Sequence, residues 1–260
     1  EGGAISWSTY NSFQVKAQKH FSDGLSFLIG YTISKSISDI NTNVPGYFAA
    51  ASQDAYNHRA EKSLSNIDIP RSLIFNYTYE LPVGPGKKFL NNNNPISKYV
   101  LGGWSIAGVH TYNSGFPLAI SSQLTLPTMS AGALSPAVLR PDYTGSAIRT
   151  CKGCGGFDPA TDLYLNASAF QAPAPWSFGN VPRTLPSTRS CGYSNENFSI
   201  SKWFRFAESG RIQIGGNFFN LFNRHHWNDP NSWATNADYF GAVTGVSGNR
   251  RGQIGVRFQW

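Results

Sequence analysis

Apolar and polar residues alternate with a period of two in seven segments of the chain. The clearest segment is 72–81, in which Leu73, Phe75 and Tyr77 share one side with further apolar residues. The opposite side is polar except for Ile74. Because successive side chains of a β-strand point to opposite faces, this alternation predicts a strand with one apolar and one polar face.

Seven such strands are predicted, and they are long. They cover residues 11–21, 25–34, 72–81, 102–113, 195–206, 212–222 and 253–260. The first two are joined by the short turn Ser22-Asp23-Gly24, which is typical of a β-hairpin. Strands of soluble proteins average about 5 to 6 residues, whereas a tilted membrane-spanning strand needs about 9 to 11. The length therefore favours strands that cross a membrane.

The links between the strands alternate in length. The first, third and fifth links, two of them tight turns, are residues 22–24, 82–101 and 207–210. The second, fourth and sixth links are long and polar: 35–70, 114–194 and 223–249. Antiparallel strands place alternate links at opposite ends, and outer-membrane barrels have short periplasmic turns and long extracellular loops. The pattern thus predicts an all-β fold, an antiparallel transmembrane β-barrel segment. Aromatic residues near the strand ends fit the interfacial girdles of such barrels: Phe21, Tyr79, Trp104, Tyr112, Phe206, Phe222 and Trp260.

The composition supports strands and disfavours other classes of protein. Hydrophobic residues make up 40% of the 260 residues, aromatic residues 14% and charged residues 13%. So little charge with so many aromatic residues disfavours both a helical bundle and a disordered chain. The longest uncharged stretch, 99–139, is broken by Gly, Ser, Asn and Pro, so it does not predict a transmembrane helix.

The formal net charge of +7 is spread along the chain. The only adjacent basic pairs are Lys87-Lys88 and Arg250-Arg251. Scattered charge of this kind is typical of a solvated surface, so no nucleic-acid partner is expected, and a basic surface facing anionic lipid fits equally well. Because Met129 is the only methionine, the chain is expected to be processed or a fragment.

Three cysteines fall in or beside the long fourth link. Cys151 and Cys154 form a CxxC pair, and Cys191 is alone. Zinc needs four ligands, no second CxxC follows, and His225 and His226 could join only by coincidence of loop positions, so no metal is expected. An extracellular disulfide is the preferred interpretation. Cys151-Cys154 is one candidate, and pairing of either residue with Cys191 stays open.

The sequence contains no recognisable catalytic constellation. It has no GxSxG, no HExxH and no phosphate-binding glycine loop, so neither an enzyme nor a cofactor is expected. Asp158 and Asp162 lack a calcium-ligating pattern and indicate a solvated loop. Six aromatic residues in the long links could stack on a ligand or pack the loops together, and both roles stay open: Tyr47, Phe48, Trp176, Trp227, Trp233 and Tyr239.

Several segments, in order along almost the whole chain, resemble one family of membrane proteins. They are GYTISKSISD (30–39), NHRAEKSLSNIDIPRSLIFNYTYELPVG (57–84), GGWSIAGVHTYNSGFPLAI (102–120), LNASAFQAP (165–173), NFFNLFNRHHW (217–227) and RRGQIGVRFQW (250–260). The chain resembles the C-terminal part of the barrel of TonB-dependent outer-membrane transporters, in the Oar-like branch with a carboxypeptidase-regulatory-like domain. Such barrels have about 22 strands and a plugged lumen. The resemblance implies that residues 1–260 form the C-terminal portion of one barrel, without its plug and N-terminal strands.

The last eight residues also resemble the insertion signal of outer-membrane barrels. A polar residue, a glycine two positions later and aromatic residues five and seven positions later match Gln253, Gly255, Phe258 and Trp260. The resemblance implies that the barrel assembly machinery is the partner that receives this open edge strand. An ordinary edge strand ending in tryptophan is the alternative interpretation.

The resemblance implies a receptor in the bacterial cell outer membrane. It would take up an unknown small-molecule or peptide substrate with energy supplied by the TonB complex through the missing plug. The segment would form barrel wall, in contact with outer-membrane lipid, and loops that capture the substrate. A passive porin or adhesin barrel is the first alternative, and a secreted carbohydrate-binding β-sandwich is the second.

Overall fold

The strands of the protein are those that the alternation predicts, with short additional strands in the links. The computed structural model describes residues 6–40, 53–54, 56–92, 94–121, 139–151, 153–205, 210–234 and 238–260. In these ranges no helix is long and apolar enough to span a membrane. The strands are β1 (Ser8–Ser22), β2 (Leu25–Ser38), β3 (Ser63–Leu64), β4 (Arg71–Glu80), β5 (Trp104–Asn113), β6 (Asp142–Tyr143), β7 (Phe170–Gln171), β8 (Tyr193–Arg205), β9 (Arg211–Phe219), β10 (His226–Trp227), β11 (Val246–Ser247) and β12 (Arg251–Gln259).

Seven long strands form one antiparallel sheet. Their order is β1-β2-β4-β5-β8-β9-β12, and the short β3 adds to β2. Each long strand therefore pairs with its nearest long neighbours along the chain, as in an up-and-down barrel. The outermost strands β1 and β12 do not pair with each other among the described residues, so this wall is open. The predicted all-β, antiparallel barrel segment with seven long strands is confirmed.

The register of the sheet aligns most apolar residues of the seven strands on one face. Tyr77 of β4, for example, lies opposite Phe27 of β2 and Gly108 of β5. Directly opposed residues share a face of the sheet. We call this side the apolar face, which includes Phe13, Val15, Phe27, Ile29, Tyr31, Leu73, Phe75, Tyr77, Tyr79, Ile106, Phe198, Ile200, Phe204, Ile212, Ile214, Phe218, Ile254, Val256 and Phe258.

The opposite side of the sheet carries hydroxyl, amide and charged groups. Its side chains also bond across strands, since Ser199 Oγ donates to Asn217 Oδ1 over 2.7 Å. Apolar exceptions on this side are Leu28, Ile74 and Val109, which lie near Asn76, and also Trp203 of β8 and Phe219 of β9. We call this side the polar face, which includes Ser12, Gln14, Lys16, Gln18, Thr32, Ser72, Asn76, Thr78, Ser105, Thr111, Asn197, Ser199, Ser201, Gln213, Asn217, Gln253, Arg257 and Gln259.

The sheet has one end with short connections, the turn end. Asp23 and Gly24 join β1 to β2 with φ values of 51° and 78°, as a tight hairpin turn requires. The longer connection from β4 to β5 ends in a π-helical turn, Ser97–Leu101. The predicted turn 207–210 between β8 and β9 lies outside the described residues except for Gly210, as does Phe206.

Most strand ends differ from their predicted positions by one to four residues, and the ends of β2 and β9 show why. β2 extends to Ser38 because backbone pairing with β1 continues as far as Ser8, although both residues are polar and the alternation has ended. The sixth strand was expected to reach Phe222, but β9 ends at Phe219. Asn220 takes a left-handed φ of 51° and turns the chain. The prediction that Phe222 belongs to the apolar face of this strand is therefore wrong.

All three long links meet at the other end of the sheet, the loop end. Their described residues contain the 3-10 turns His58–Glu61, Cys154–Gly156 and Ala167–Ala169. Two small sheets form there, β6 with β7 and β10 with β11. The tightly packed hydrophobic core of the described chain lies among these links and not in the long sheet.

Candidate functional site: the loop cap

The long links fold together into one body at the loop end, which we call the loop cap. Its described parts are residues 39–40, 53–54, 56–70, 114–121, 139–151, 153–192, 220–234 and 238–250. Backbone bonds join the fourth and sixth links, because Tyr164 N–H donates to Gly241 O over 2.7 Å and Ala234 N–H donates to Ser121 O over 2.7 Å. The buried apolar core of the cap consists of Leu118, Ile120, Phe157, Tyr164, Leu165, Ala169, Phe170, Val181, Leu185, Phe240 and Val243.

A buried ion pair ties the second link to the fourth. Arg140 Nη1 donates to both carboxylate oxygens of Glu61, over 2.9 and 2.8 Å, and Arg140 Nε donates to Val181 O over 2.8 Å. Only 2% of the Glu61 side chain and 10% of the Arg140 side chain are exposed. Gln53 bonds to both partners: its backbone N–H donates to Glu61 Oε1, and its side-chain oxygen accepts from the Arg140 backbone N–H. Separation of the two side chains would leave a buried charge uncompensated, which is strongly unfavourable, so the pair holds the two links together.

A second arginine of the fourth link binds the backbone where β2 leaves the sheet. Arg183 donates to Glu61 O over 2.9 Å, to Ile40 O over 2.7 Å and to Ser38 O. Burial lowers the pKa of the Arg183 guanidinium below its ordinary value, and the nearby Glu61 carboxylate opposes this effect. Arg183 therefore connects the cap to the rim of the barrel wall.

A third arginine forms another bridge between the same two links. Arg189 Nη2 lies 2.5 Å from Asp68 Oδ2, and Arg189 Nη1 donates to Asp68 O over 2.9 Å. The other Asp68 oxygen accepts from the Ser36 backbone N–H over 2.5 Å, so this carboxylate also bonds to β2. The fourth link is thus fixed to the second at two separate buried carboxylates.

The sixth link is attached to the wall by an ion pair on β8. Arg224 Nη2 lies 3.2 Å from Oε1 of the buried Glu196. The ring of His226 stacks on Tyr193, with 4.4 Å between ring centroids. Glu196 belongs to the apolar side of the sheet by its register with His110, and its charge is paired at the loop end.

The disulfide of the cap joins Cys154 to Cys191, one of the pairings that the sequence leaves open. It links the CxxC segment to the residue that precedes β8 by two positions. Cys151 is a free thiol of intermediate exposure. The disulfide closes the loop that contains most of the cap core.

Tyr164 is the central polar side chain of the cap core. Its hydroxyl donates to Arg189 O over 2.6 Å, accepts from Arg149 Nη2 and lies 3.7 Å from Cys154 Sγ. Burial raises the pKa of the Tyr164 hydroxyl above its ordinary value of 10, while the Arg149 charge opposes the rise. The neutral hydroxyl therefore fits this site best.

An open cleft of about 750 Å³ lies beside the disulfide. Asp158 and Asp162 form local hydrogen bonds near this cleft. The Asp158 carboxylate accepts from Ala160 N–H, and the Asp162 carboxylate accepts from Asp158 N–H. The described residues contain no group of three or more His, Cys, Asp or Glu residues placed to hold a metal ion. The residues that line the cleft are Thr150, Cys151, Gly153, Gly155, Gly156, Thr161, Asp162 and Leu163.

The six aromatic residues singled out in the links fall into three groups. Trp227 packs on Phe157 with 6.3 Å between ring centroids, so it belongs to the cap interior. Trp176, Trp233 and Tyr239 are exposed, and Trp176 is 78% exposed with a left-handed φ of 64°. Tyr47 and Phe48 lie outside the described residues. The three exposed rings are open to a ligand, whereas Trp227 is partly buried against the cap core.

The four residues of the terminal motif lie on or beside the edge strand β12. Gln253 lies opposite Asn217 on the polar face, Gly255 opposite Gly215, and Phe258 opposite Ile212 on the apolar face. Trp260 follows the strand and is 92% exposed. The motif therefore lies on an open edge strand with one apolar face, and its role as an insertion signal stays a prediction.

Sequence reasoning missed the buried charges of the cap. Glu61, Asp68, Arg140, Arg183 and Arg189 were treated as part of a scattered surface charge, although all but Arg189 are buried. The composition, with 13% charged residues, gives no signal that separates the buried charges from the exposed ones.

The comparison with protein families agrees with the geometry of the sheet. A family model described as outer membrane beta barrel domain matches residues 3–253, almost the whole chain. No curated protein matches the sequence. With long antiparallel strands, an apolar face and loops at one end, the chain belongs to the outer membrane beta barrel domain family, and its location is the outer membrane.

Proposed function

We propose that this protein is the barrel wall and loop cap of a receptor that takes up a substrate with energy supplied through TonB. The observation that supports this proposal most is the polar face, which continues across all seven long strands. A lumen that holds a plug and releases a substrate needs many hydrogen-bonding groups. The resemblance of six segments to TonB-dependent transporters of the Oar-like branch supports the finer assignment.

The loop cap is the proposed surface for substrate capture. Its buried ion pairs and disulfide hold the links in one arrangement, and binding is strongest when the receptor surface is preorganised. Trp176, Trp233 and Tyr239 offer exposed aromatic rings to a small-molecule or peptide substrate. In this proposal the segment binds and conducts a substrate and performs no covalent chemistry.

The open edges β1 and β12 imply further strands in the assembled barrel. Unpaired backbone groups are not tolerated in the hydrocarbon region of a membrane. We therefore propose that strands outside residues 1–260 close the wall around a plug, and that the plug engages the TonB complex. We also propose that the barrel assembly machinery receives the strand with Gln253, Gly255, Phe258 and Trp260.

Planar-bilayer conductance combined with TonB binding tests the proposed function. The intact protein should show no steady open conductance, because a plug fills its lumen, and the periplasmic domain of TonB should bind it in detergent. A steady ohmic conductance without TonB binding would instead identify a passive porin. A plugged barrel that does not bind TonB would identify an adhesin-like barrel and would also refute the proposal.

A further inference from the structure

A cluster of exposed apolar residues lies at the turn end, in the connection between β4 and β5. Large apolar side chains seldom remain exposed as a contiguous group without a partner. Polar bonds hold this connection in place, since Ser97 Oγ donates to Leu90 O over 2.6 Å and Gly102 N–H donates to Ser97 O over 2.9 Å. The exposed apolar residues of the cluster are Phe89, Leu90, Ile96, Tyr99, Val100 and Leu101.

Two side chains of the apolar face fix this cluster to the outside of the wall. Trp104 Nε1 donates to Val100 O over 2.9 Å. Lys202 Nζ donates to Tyr99 O over 2.9 Å and to Val100 O over 3.1 Å. Trp104 and Lys202 lie directly opposite each other in β5 and β8, on the same side as Ile106 and Ile200. The π-helical turn therefore rests on the side of the sheet that faces lipid.

The cluster shields the charge of Lys202 on the apolar face of the wall. A lysine on the apolar face of a membrane strand is unfavourable, because its charge would face hydrocarbon. Here Lys202 is only 2% exposed, and its ammonium lies 5.5 Å from the Trp104 ring centroid and 5.1 Å from that of Phe204. The two carbonyls of the π-helical turn and these rings surround the charge.

The same connection is basic. Residues 81–103 contain Lys87, Lys88 and Lys98 and no acidic residue. All three lysines are exposed, and Lys87 pairs with the exposed Glu80 at the end of β4. Lys88 and Lys98 each lie over a neighbouring aromatic ring of the cluster, Phe89 and Tyr99. Apolar and basic groups thus lie side by side, as in segments that bind the interface of an anionic membrane.

We propose that these residues form a membrane-interfacial anchor for anionic phospholipid, the turn-end anchor. Ile96, Tyr99, Val100 and Leu101 enter the boundary between headgroups and acyl chains, in continuity with the lipid-facing side of the wall. The lysines bind the phosphates of anionic headgroups in the leaflet at the turn end. The partner is the lipid surface, and the connection works as a lateral extension of the barrel wall.

Spin-label accessibility tests the anchor in the intact protein, with Cys151→Ser removing the native free thiol. A label at Val100→Cys should collide with oxygen and not with a water-soluble nickel reagent in phosphatidylcholine vesicles that contain phosphatidylglycerol. A label at Asn92→Cys, exposed in the same connection but polar, is the matched control and should show the opposite. Without phosphatidylglycerol, the nickel collision rate at Val100 should rise.

Replacement of Lys87, Lys88 and Lys98 by glutamine should abolish the effect of phosphatidylglycerol at Val100. If that variant does not assemble, high salt should remove the effect from the protein with native lysines, because salt screens exposed charges. A Val100 label that meets nickel as freely as the Asn92 label would place the cluster in water and overturn the anchor. If the Val100 label lies at the same depth in vesicles with and without phosphatidylglycerol at low salt, anionic headgroups have no role in the anchor.

Discussion

Removal of Arg140 is expected to open the loop cap. Arg140→Met leaves the buried Glu61 carboxylate without its bidentate partner and also removes the bond to Val181 O. Breaking a buried ion pair in this way costs about 3 to 5 kcal/mol. The matched control is Lys87→Met at the turn end, where the Lys87 and Glu80 side chains are 41% and 46% exposed. An exposed pair of this kind contributes about 0 to 1 kcal/mol.

Hydrogen exchange of cap amides measures this cost directly in the intact protein. The Leu185 N–H donates to Leu118 O over 2.7 Å inside the cap core and exchanges only when the cap opens. A loss of 3 to 5 kcal/mol corresponds to roughly 100- to 5,000-fold faster exchange, at about 1.36 kcal/mol per factor of ten. Arg140→Met should show that acceleration and Lys87→Met almost none.

Two further results would distinguish the ion pair from simple packing. The double variant Glu61→Gln with Arg140→Met should exchange more slowly than Arg140→Met alone, because no uncompensated charge remains. If Leu185 in Arg140→Met exchanges within a few-fold of its rate in the unmodified protein, the Glu61–Arg140 pair does not hold the cap closed. Equal acceleration in Lys87→Met would show that the effect does not come from the cap.

Three other perturbations test separate parts of the structure. Thiol labelling of intact cells without reductant should modify Cys151 alone, and Cys154→Ser should add a second reactive thiol; labelling of all three cysteines in the unmodified protein would contradict the disulfide. Cap stability, measured by hydrogen exchange, should be retained below pH 10 and should fall as the pH rises through the raised pKa of Tyr164. Tyr164→Phe should reduce that fall. Tyr239→Phe, at an exposed tyrosine, is the control and should leave the fall unchanged. Trp260→Ala should lower surface abundance at an unchanged synthesis rate, and normal abundance would support an ordinary edge strand.

The barrel wall could be predicted from the sequence because its signal is local. Tyr77 and Asn76 differ by one position, and the period of two alone assigns them to opposite faces. The boundary at Phe222 was wrong because an apolar residue beyond the strand continues the pattern, while the turn depends on the left-handed Asn220. Local alternation thus specifies a strand better than it specifies where that strand ends.

The loop cap could not be predicted, because its contacts join distant positions. Glu61 and Arg140 are separated by 79 residues, and Asp68 and Arg189 by 121. No periodicity connects such positions, so their partners follow only from the packing of the links. The same holds for Trp227, whose burial against Phe157 depends on the meeting of the fourth and sixth links.

We infer that the sheet is a membrane wall with its apolar face toward lipid and its polar face toward the lumen. Spin labels at Tyr77 and Asn76 of the intact protein in a bilayer distinguish the two faces, because the two residues are neighbours on β4. The Tyr77 label should collide with oxygen dissolved in lipid and hardly with a water-soluble nickel reagent, whereas the Asn76 label should be shielded from lipid. A Tyr77 label shielded from oxygen beside an Asn76 label open to it would show that the apolar face does not face lipid.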